Sequence, residues 1–195
     1  MKHREKELRR KEILETASRM MISRRSGTIT IEELASQVSA SKRTIYGYFK
    51  SKGYLLYQLQ MYLYDLITEK VYTILDDKSM SPRQRLAEAV YAQVAITCDH
   101  WEVARALSTD AALREAPPAS ARAMARRRRV YQRKFADVVA EICQAEKLRG
   151  VDIKAASICI LGFIASIQRW YRAGERLSGD QIAEYVAHSV LDGFI

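Results

Sequence analysis

Glycine and proline are scarce in this chain of 195 residues, which contains 8 Gly and 3 Pro. Average proteins use about 7% Gly and about 5% Pro, so both residues fall well short. Because glycine supplies most positions with positive φ and proline interrupts helices, this shortage favours long helices. A strand-like pattern occurs only briefly, at residues 28–31, and the predicted fold class is therefore all-α.

Cysteine and histidine are equally sparse. The three cysteines, Cys98, Cys143 and Cys159, are far apart and fit neither a disulfide framework nor the spacing of a zinc site. We therefore expect buried, reduced thiols in a cytoplasmic protein, with no metal and no cofactor. The three histidines are also dispersed, which disfavours a metal sensor.

Catalytic motifs and long hydrophobic runs are missing as well. The sequence has no Ser/His/Asp grouping, Gly-rich phosphate loop or HExxH motif, so we do not expect an enzyme. The longest uncharged stretch, 155–168, is shorter than the about 20 residues of a transmembrane helix. The charged N-terminal segment does not resemble a signal peptide, and no membrane partner is expected.

Positive charge, by contrast, is plentiful and concentrated. The net charge is +9, and residues 1–52 contain 13 Lys/Arg against 6 Asp/Glu, whereas residues 53–195 contain 19 against 17. A basic end on a nearly neutral body indicates a DNA-binding domain, 1–53, joined to a larger domain, 54–195. A solubilising tail, a non-specific basic DNA-binding protein and a helical protein of the membrane surface are the alternatives.

Apolar periodicity and capping signals divide the chain into about nine helices, three of them short and in the basic part. Thr30 and Glu33 form a capping box, and Ser41 is a candidate cap for the following helix. The predicted helices cover about 5–23, 31–38, 42–49, 54–76, 82–98, 101–114, 118–146, 153–172 and 179 onwards.

The third short helix carries the strongest functional signal. It is the polar, basic second member of two short helices joined by a tight turn, which is typical of a helix-turn-helix. Ile45 and Phe49 are four residues apart and are predicted to anchor it, so that its other side chains face outward. Donors at its N-terminus suit the acceptors of a DNA major groove.

A wider pattern surrounds this helix. It comprises Thr30-Ile31-x-x-Leu34-Ala35, Ser41, Thr44-Ile45-Tyr46-x-Tyr48-Phe49 and Ser51-Lys52, with Leu55 beyond. Over residues 8–56 this pattern resembles the DNA-binding domain of the TetR family of bacterial repressors. The combination is more specific than a helix-turn-helix alone.

The sequence departs from the family pattern at three places. Val38-Ser39-Ala40-Ser41 stands where the family often has Ala-Gly-Val-Ser, Arg43 replaces a frequent Gly, and Gly53 replaces a frequent Glu. These departures bear on the operator sequence rather than on DNA binding itself.

The resemblance implies which residues meet DNA. Thr30 would contact a phosphate, the start of the recognition helix would face base edges, and its tyrosines would contact the backbone. The alternative for both tyrosines is half-buried packing. The full set of predicted DNA-binding residues is Thr30, Ser41, Lys42, Arg43, Thr44, Tyr46, Gly47, Tyr48 and Lys52.

The resemblance also implies a helical ligand-binding domain and a homodimer formed by the last two long helices. A dimer would bind a palindromic operator, and a small-molecule effector would shift the two heads through helix 54–76, with repression as the family default. Helix 153–172 is apolar nearly all round, as a partner chain on its second side would require. The alternative is the core helix of a monomer.

The effector is open at this point. Arg127 and Arg128 fall on or beside the inward stripe of their helix, which favours an anionic ligand such as a fatty acid or acyl-CoA, unless Asp99, Glu102 or Asp110 neutralises them. The segment Gln168–Arg172 with Leu177-Ser178 also looks like TetR-type regulators that respond to CoA thioesters. A neutral or cationic hydrophobic molecule is the alternative. The candidate ligand-binding residues are Tyr91, Trp101, Arg127, Arg128, Tyr131, Phe163 and Trp170.

Overall fold

The computed structural model of the chain describes residues 2–23, 29–107 and 118–194. These residues form nine α-helices and no strand, which confirms the predicted all-α class. In chain order the helices are α1 (Lys2–Ser23), α2 (Ile31–Gln37), α3 (Lys42–Tyr48), α4 (Lys52–Asp76), α5 (Pro82–Asp99), α6 (Trp101–Leu107), α7 (Pro118–Ala145), α8 (Ile153–Trp170) and α9 (Gly179–Phe194).

Helix starts follow the caps that the sequence contains. The Thr30 hydroxyl accepts from the amide of Glu33, whose carboxylate accepts from the Thr30 amide, so the predicted capping box is present. α4 begins at Lys52, two residues before the predicted start, because the Ser51 hydroxyl accepts from the Tyr54 amide at 2.9 Å. Local hydrogen bonding therefore places Gly53 inside the first turn of α4.

The turn between α2 and α3 contains a residue in the left-handed region. Ser39 has φ of +50°, at the position that follows the end of α2. Its amide donates to Ser36 O at 3.1 Å, and the Ala40 amide donates to Ala35 O at 2.8 Å. These bonds close the helix as a glycine usually would, and a serine there is strained relative to glycine.

The chain divides into two compact units, Met1–Tyr64 with His100–Pro117, and Asp65–Asp99 with Pro118–Ile195, so that α4 contributes to both. Within the first unit the apolar sides of α1, α2 and α3 form a core. Within the second, α5 packs against α7, α8 and α9. The boundary predicted between residues 53 and 54 stays a prediction. Fully buried core side chains include Ile13, Leu34, Ile45, Leu86, Phe135, Ile160 and Val190.

The expectation that all three cysteines are buried is wrong. Cys98 is buried as predicted, but Cys143 is half-buried and Cys159 is exposed. Cys159 is exposed because it lies outside the side of α8 that is formed by the buried residues Ala156, Ile160 and Ile164. By length and composition α8 is also the one described helix that could cross a membrane, a weak indication when it stands alone.

Candidate nucleic-acid interface

Helix α3 is held by two apolar residues. Ile45 and Phe49 are fully buried, as the sequence predicts, and the Arg10 guanidinium lies 5.6 Å from the centre of the Phe49 ring. Because these two residues fix one side of the seven-residue helix, its remaining residues are exposed, apart from half-buried Tyr48. The helix therefore presents a polar surface on a rigid support.

The predicted DNA-binding residues lie on that surface or beside it. Tyr46 is 46% exposed, and Tyr48 is half-buried with its ring 6.5 Å from that of Phe49. Gly47 has open space where a side chain would be. Thr30, Ser41, Lys42, Arg43, Thr44, Gly47 and Lys52 are exposed. Of the two tyrosines, only Tyr48 is therefore half-buried and packed against the core, whereas Tyr46 is exposed.

Three hydroxyls on this surface are oriented by local hydrogen bonds. Thr30 Oγ1 donates to Glu33 Oε2 at 2.7 Å, and the Ser41 and Thr44 hydroxyls are hydrogen-bonded to each other at 2.9 Å. Ser41 also caps α3 by accepting from the Thr44 amide at 3.0 Å. These side chains are therefore held in place before any partner binds.

Lys42 makes an ion pair that the sequence did not reveal. Its ammonium contacts the carboxylate of Glu32 on α2, and both side chains are more than half exposed. The hydrogen bond from Lys42 lowers the pKa of Glu32 below its ordinary value. No local spacing rule connects residues ten apart on different helices, so only the turn geometry brings them together.

The amino-acid pattern and this geometry agree with the protein families that match the chain. A model described as bacterial regulatory proteins, tetR family, matches residues 13–59, and one described as tetracyclin repressor-like, C-terminal domain, matches residues 79–194. The chain belongs to the TetR family of transcriptional regulators. No curated protein matches it in sequence.

Solved structures of TetR-type regulators share the fold of the whole chain. A TetR/AcrR regulator from Thermobifida fusca YX-ER1 is 24% identical with a TM-score of 0.78, covering 96% of this chain and 98% of that one. KstR2, a ketosteroid transcriptional regulator of Mycobacterium tuberculosis, is 23% identical with a TM-score of 0.72, covering 95% and 94%. AibR in complex with isovaleryl coenzyme A and operator DNA is 24% identical with a TM-score of 0.69, covering 92% and 96%.

The predicted ligand-binding residues differ in burial. Tyr131 is buried, with its hydroxyl donating to Gln93 at 2.7 Å and its ring 5.2 Å from Phe135. Trp101 is buried in the first unit, and Phe163 is half-buried on α8. Trp170 is 47% exposed at the end of α8. Tyr131 and Trp101 therefore have the burial of core residues.

The prediction of a position on or beside the inward stripe is wrong for Arg128 and stays a prediction for Arg127. Arg127 is half-exposed and its guanidinium pairs with Asp65 of α4; of the carboxylates named above, Asp110 lies outside the described residues. Arg128 is exposed. Among the side chains of α7 that the structure describes, Tyr131 is the first buried one, so helical phase alone does not bury Arg128.

A cleft of about 480 Å³ lies between α4 and α5, within the second unit. Its apolar lining residues are Ile74, Met80, Ala92, Ala95 and Ile96, and its polar ones are Lys70, Gln84, Glu88, Tyr91 and Asp99. Of the predicted ligand-binding set only Tyr91 lines it. Five of the lining residues, at positions 84, 88, 91, 95 and 99, have the spacing of one face of α5. That spacing is visible in the sequence and could have indicated the cleft.

Acidic groups surround the tyrosine of this cleft. The Tyr91 hydroxyl donates to Asp180 of α9 at 3.1 Å, and that hydrogen bond, with the nearby charges of Glu184 and Glu88, raises the pKa of Tyr91. Within the described part of the chain, no group of three or more His, Cys, Asp or Glu side chains could hold a metal ion. The cleft thus combines an apolar wall with carboxylates.

Proposed function

We propose that this TetR-family regulator is a cytoplasmic, ligand-responsive repressor that binds a palindromic operator as a homodimer. The observation that carries the DNA-binding part is α3, a short helix with both apolar residues buried and its polar residues turned outward. Arg43 and Lys42 supply donors for guanine edges or phosphates, and Tyr46 places a hydroxyl within reach of the backbone. Its function requires binding and no chemical step.

The outward face of α8 supports a second copy as partner. Ile158 is 49% exposed, and Cys159, Gly162 and Ala165 continue the same uncharged face. A Cβ added at Gly162 would meet no other atom, so a partner helix can approach closely there. Tyr185 of α9 is 68% exposed. Such exposed apolar groups mark an interaction surface, and a two-fold dimer matches the symmetry of a palindrome.

The end of α8 supports a CoA thioester as effector. Trp170 exposes an indole at the helix end, and the exposed side chains of Arg169 and Arg172 flank it in sequence. An indole face suits stacking of an adenine, and guanidinium groups suit phosphates. This segment is the one that looks like regulators responding to CoA thioesters, and AibR was solved with isovaleryl coenzyme A.

The cleft between α4 and α5 supports a second candidate, a neutral or cationic hydrophobic effector. Its volume lies within the roughly 300–1,000 Å³ of small-molecule sites, and its wall is mostly apolar. The lining contains two carboxylates, Glu88 and Asp99, and one cation, Lys70. This excess of negative charge favours an organic cation over an anion as the ligand. Fatty acids and acyl-CoA would be repelled there.

The first experiment is fluorescence anisotropy on duplexes tiled across the DNA beside the gene, at near-physiological salt with non-specific competitor. We expect one tile to bind with Kd of about 10⁻⁸ M or tighter, at two protomers per palindrome. Addition of acyl-CoA, free CoA, free fatty acid and a hydrophobic cation to that complex then identifies the effector class. If every tile binds equally, the proposal of a local operator is wrong.

A further inference from the structure

The N-terminal half of α7 carries a line of arginines that the effector proposal does not use. Arg122, Arg126, Arg129 and Arg133 are spaced by four, three and four residues and are all exposed. This spacing keeps them on one side of the helix, opposite the buried stripe that begins at Tyr131. We call these four residues the arginine row. It is about 16 Å long at 1.5 Å per residue.

Intramolecular pairing does not explain the row. Two other cations of the same helix form ion pairs with carboxylates of α4: Arg127 pairs with Asp65, and Lys134 pairs with Asp76. Among the ion pairs of the described residues, none includes a member of the row. Like charges three and four residues apart repel and weaken a helix, so the row opposes the stability of α7 unless an external anion neutralises it.

The chemistry of the row selects the kind of anion. All four residues are arginine, whose planar guanidinium matches a phosphate through two parallel hydrogen bonds. Over 16 Å, one strand of B-DNA offers about five phosphates at 3.4 Å per nucleotide. A membrane surface fits less well, because the exposed side of this segment offers only Val130 as a large apolar side chain.

We propose that the arginine row is a second DNA-contacting surface, in the domain that lies outside the helix-turn-helix, and that it binds the phosphate backbone without reading sequence. This inference rests on the proposed function in one respect, namely that the protein binds DNA. It does not depend on the effector, on the operator sequence or on dimer formation. The row adds affinity and salt dependence, and α3 supplies selectivity.

The test compares two full-length variants with the same change in net charge. In the row variant, Arg126, Arg129 and Arg133 are changed to glutamine. In the control variant, Arg149→Gln, Lys154→Gln and Arg176→Gln remove three exposed charges elsewhere in the second unit. Binding to a 60-base-pair duplex of random sequence is measured by anisotropy between 50 and 300 mM NaCl.

We expect the row variant to bind about tenfold more weakly at 100 mM NaCl. The slope of log K against log [salt] should fall by about two to three, because each lost phosphate contact contributes about 0.9. The control variant should keep the wild-type slope. Equal slopes for the row and control variants would overturn the proposal.

A second arm separates the row from the recognition helix. With Lys42→Ala and Arg43→Ala in place, residual binding to the random duplex should persist and disappear when the row variant is added. If polyglutamate or vesicles with one quarter phosphatidylglycerol bind the row more tightly than the duplex at equal salt, the partner is an acidic protein or a membrane and the proposal is wrong. Failure of the proposed function is distinct, since it would appear as loss of sequence selectivity in the wild type.

Discussion

Lys42, the first residue of the recognition helix, is paired with Glu32 of the preceding helix. The pair holds a predicted DNA-binding ammonium against a carboxylate on the same surface. If Lys42 contacts DNA as we propose, an arriving phosphate competes with Glu32 for the ammonium, and the Glu32 carboxylate lies close to DNA as a repulsive charge. We therefore propose that this pair opposes DNA binding.

Replacing the carboxylate tests that opposition. Glu32→Gln should raise the affinity for operator DNA about three- to tenfold, because it frees Lys42 and removes a negative charge near the phosphates. Anisotropy with the operator duplex at several salt concentrations measures the effect. Glu7→Gln, an equal charge change at an exposed position of α1, is the control and should change affinity less. Equal effects of the two variants would show that only net charge matters.

The turn before α3 gives a prediction of stability. Ser39→Gly should stabilise the protein by about 0.5–1 kcal/mol, since glycine adopts a φ of +50° without the steric strain of a side chain. Ser36→Gly, within α2, should destabilise it by a similar amount. Urea unfolding followed by circular dichroism measures both. A loss of stability in Ser39→Gly would mean that its side chain contributes something that the backbone geometry does not show.

These cases separate what the sequence could predict from what it could not. The caps at Thr30 and Ser41 and the anchors Ile45 and Phe49 were predictable, because each depends on residues within one turn or one helix face. The exposure of Arg128 was not, because helical phase indicates which side faces a neighbour but not where along α7 that neighbour begins. The ion pair of Lys42 likewise depends on tertiary placement.

A buried arginine gives a second prediction of stability. Arg85 is 1% exposed, donates to Leu75 O at 2.8 Å and pairs with Glu141 of α7. Arg85→Met should cost about 2–4 kcal/mol of unfolding free energy, because the Leu75 carbonyl loses its side-chain donor and the Glu141 carboxylate keeps only Lys78. Thermal or urea unfolding measures the loss. A loss under 1 kcal/mol would mean that water replaces the guanidinium readily.

The ion pair between Arg85 and Glu141 also makes the stability of the protein depend on pH. Hydrogen bonds from Arg85 and Lys78 hold the pKa of Glu141 below its ordinary value of 4.5. The stability that this carboxylate contributes is therefore present above about pH 4.5 and is lost as the pH falls through the lowered pKa. Glu141→Gln should differ from the wild type at pH 7 and converge with it in acid. A difference that stays constant down to pH 3 would exclude this carboxylate as the cause.

The proposed dimer predicts different results for two isoleucines of α8. Ile158 is 49% exposed, so Ile158→Glu should give a folded monomer. Ile164 is 1% exposed within its own chain, so Ile164→Glu should unfold the protein rather than only separate the subunits. Sedimentation velocity with circular dichroism distinguishes these outcomes. A normal dimer of Ile158→Glu would place the subunit contact elsewhere.

The two tryptophans of the chain provide a direct test of the effector site. Trp101 is 6% exposed and Trp170 is 47% exposed, so an adenine that stacks on the chain should quench only Trp170. We expect acyl-CoA to quench the wild type, and Trp170→Phe to keep Trp101 emission without that response. Arg172→Gln should weaken acyl-CoA binding about tenfold, since one phosphate loses a guanidinium partner. Lys147→Gln, an equal charge change at an exposed position in the segment that precedes α8, is the control. Quenching that survives Trp170→Phe, or a hydrophobic cation that releases operator DNA while acyl-CoA does not, would move the effector site to the α4–α5 cleft.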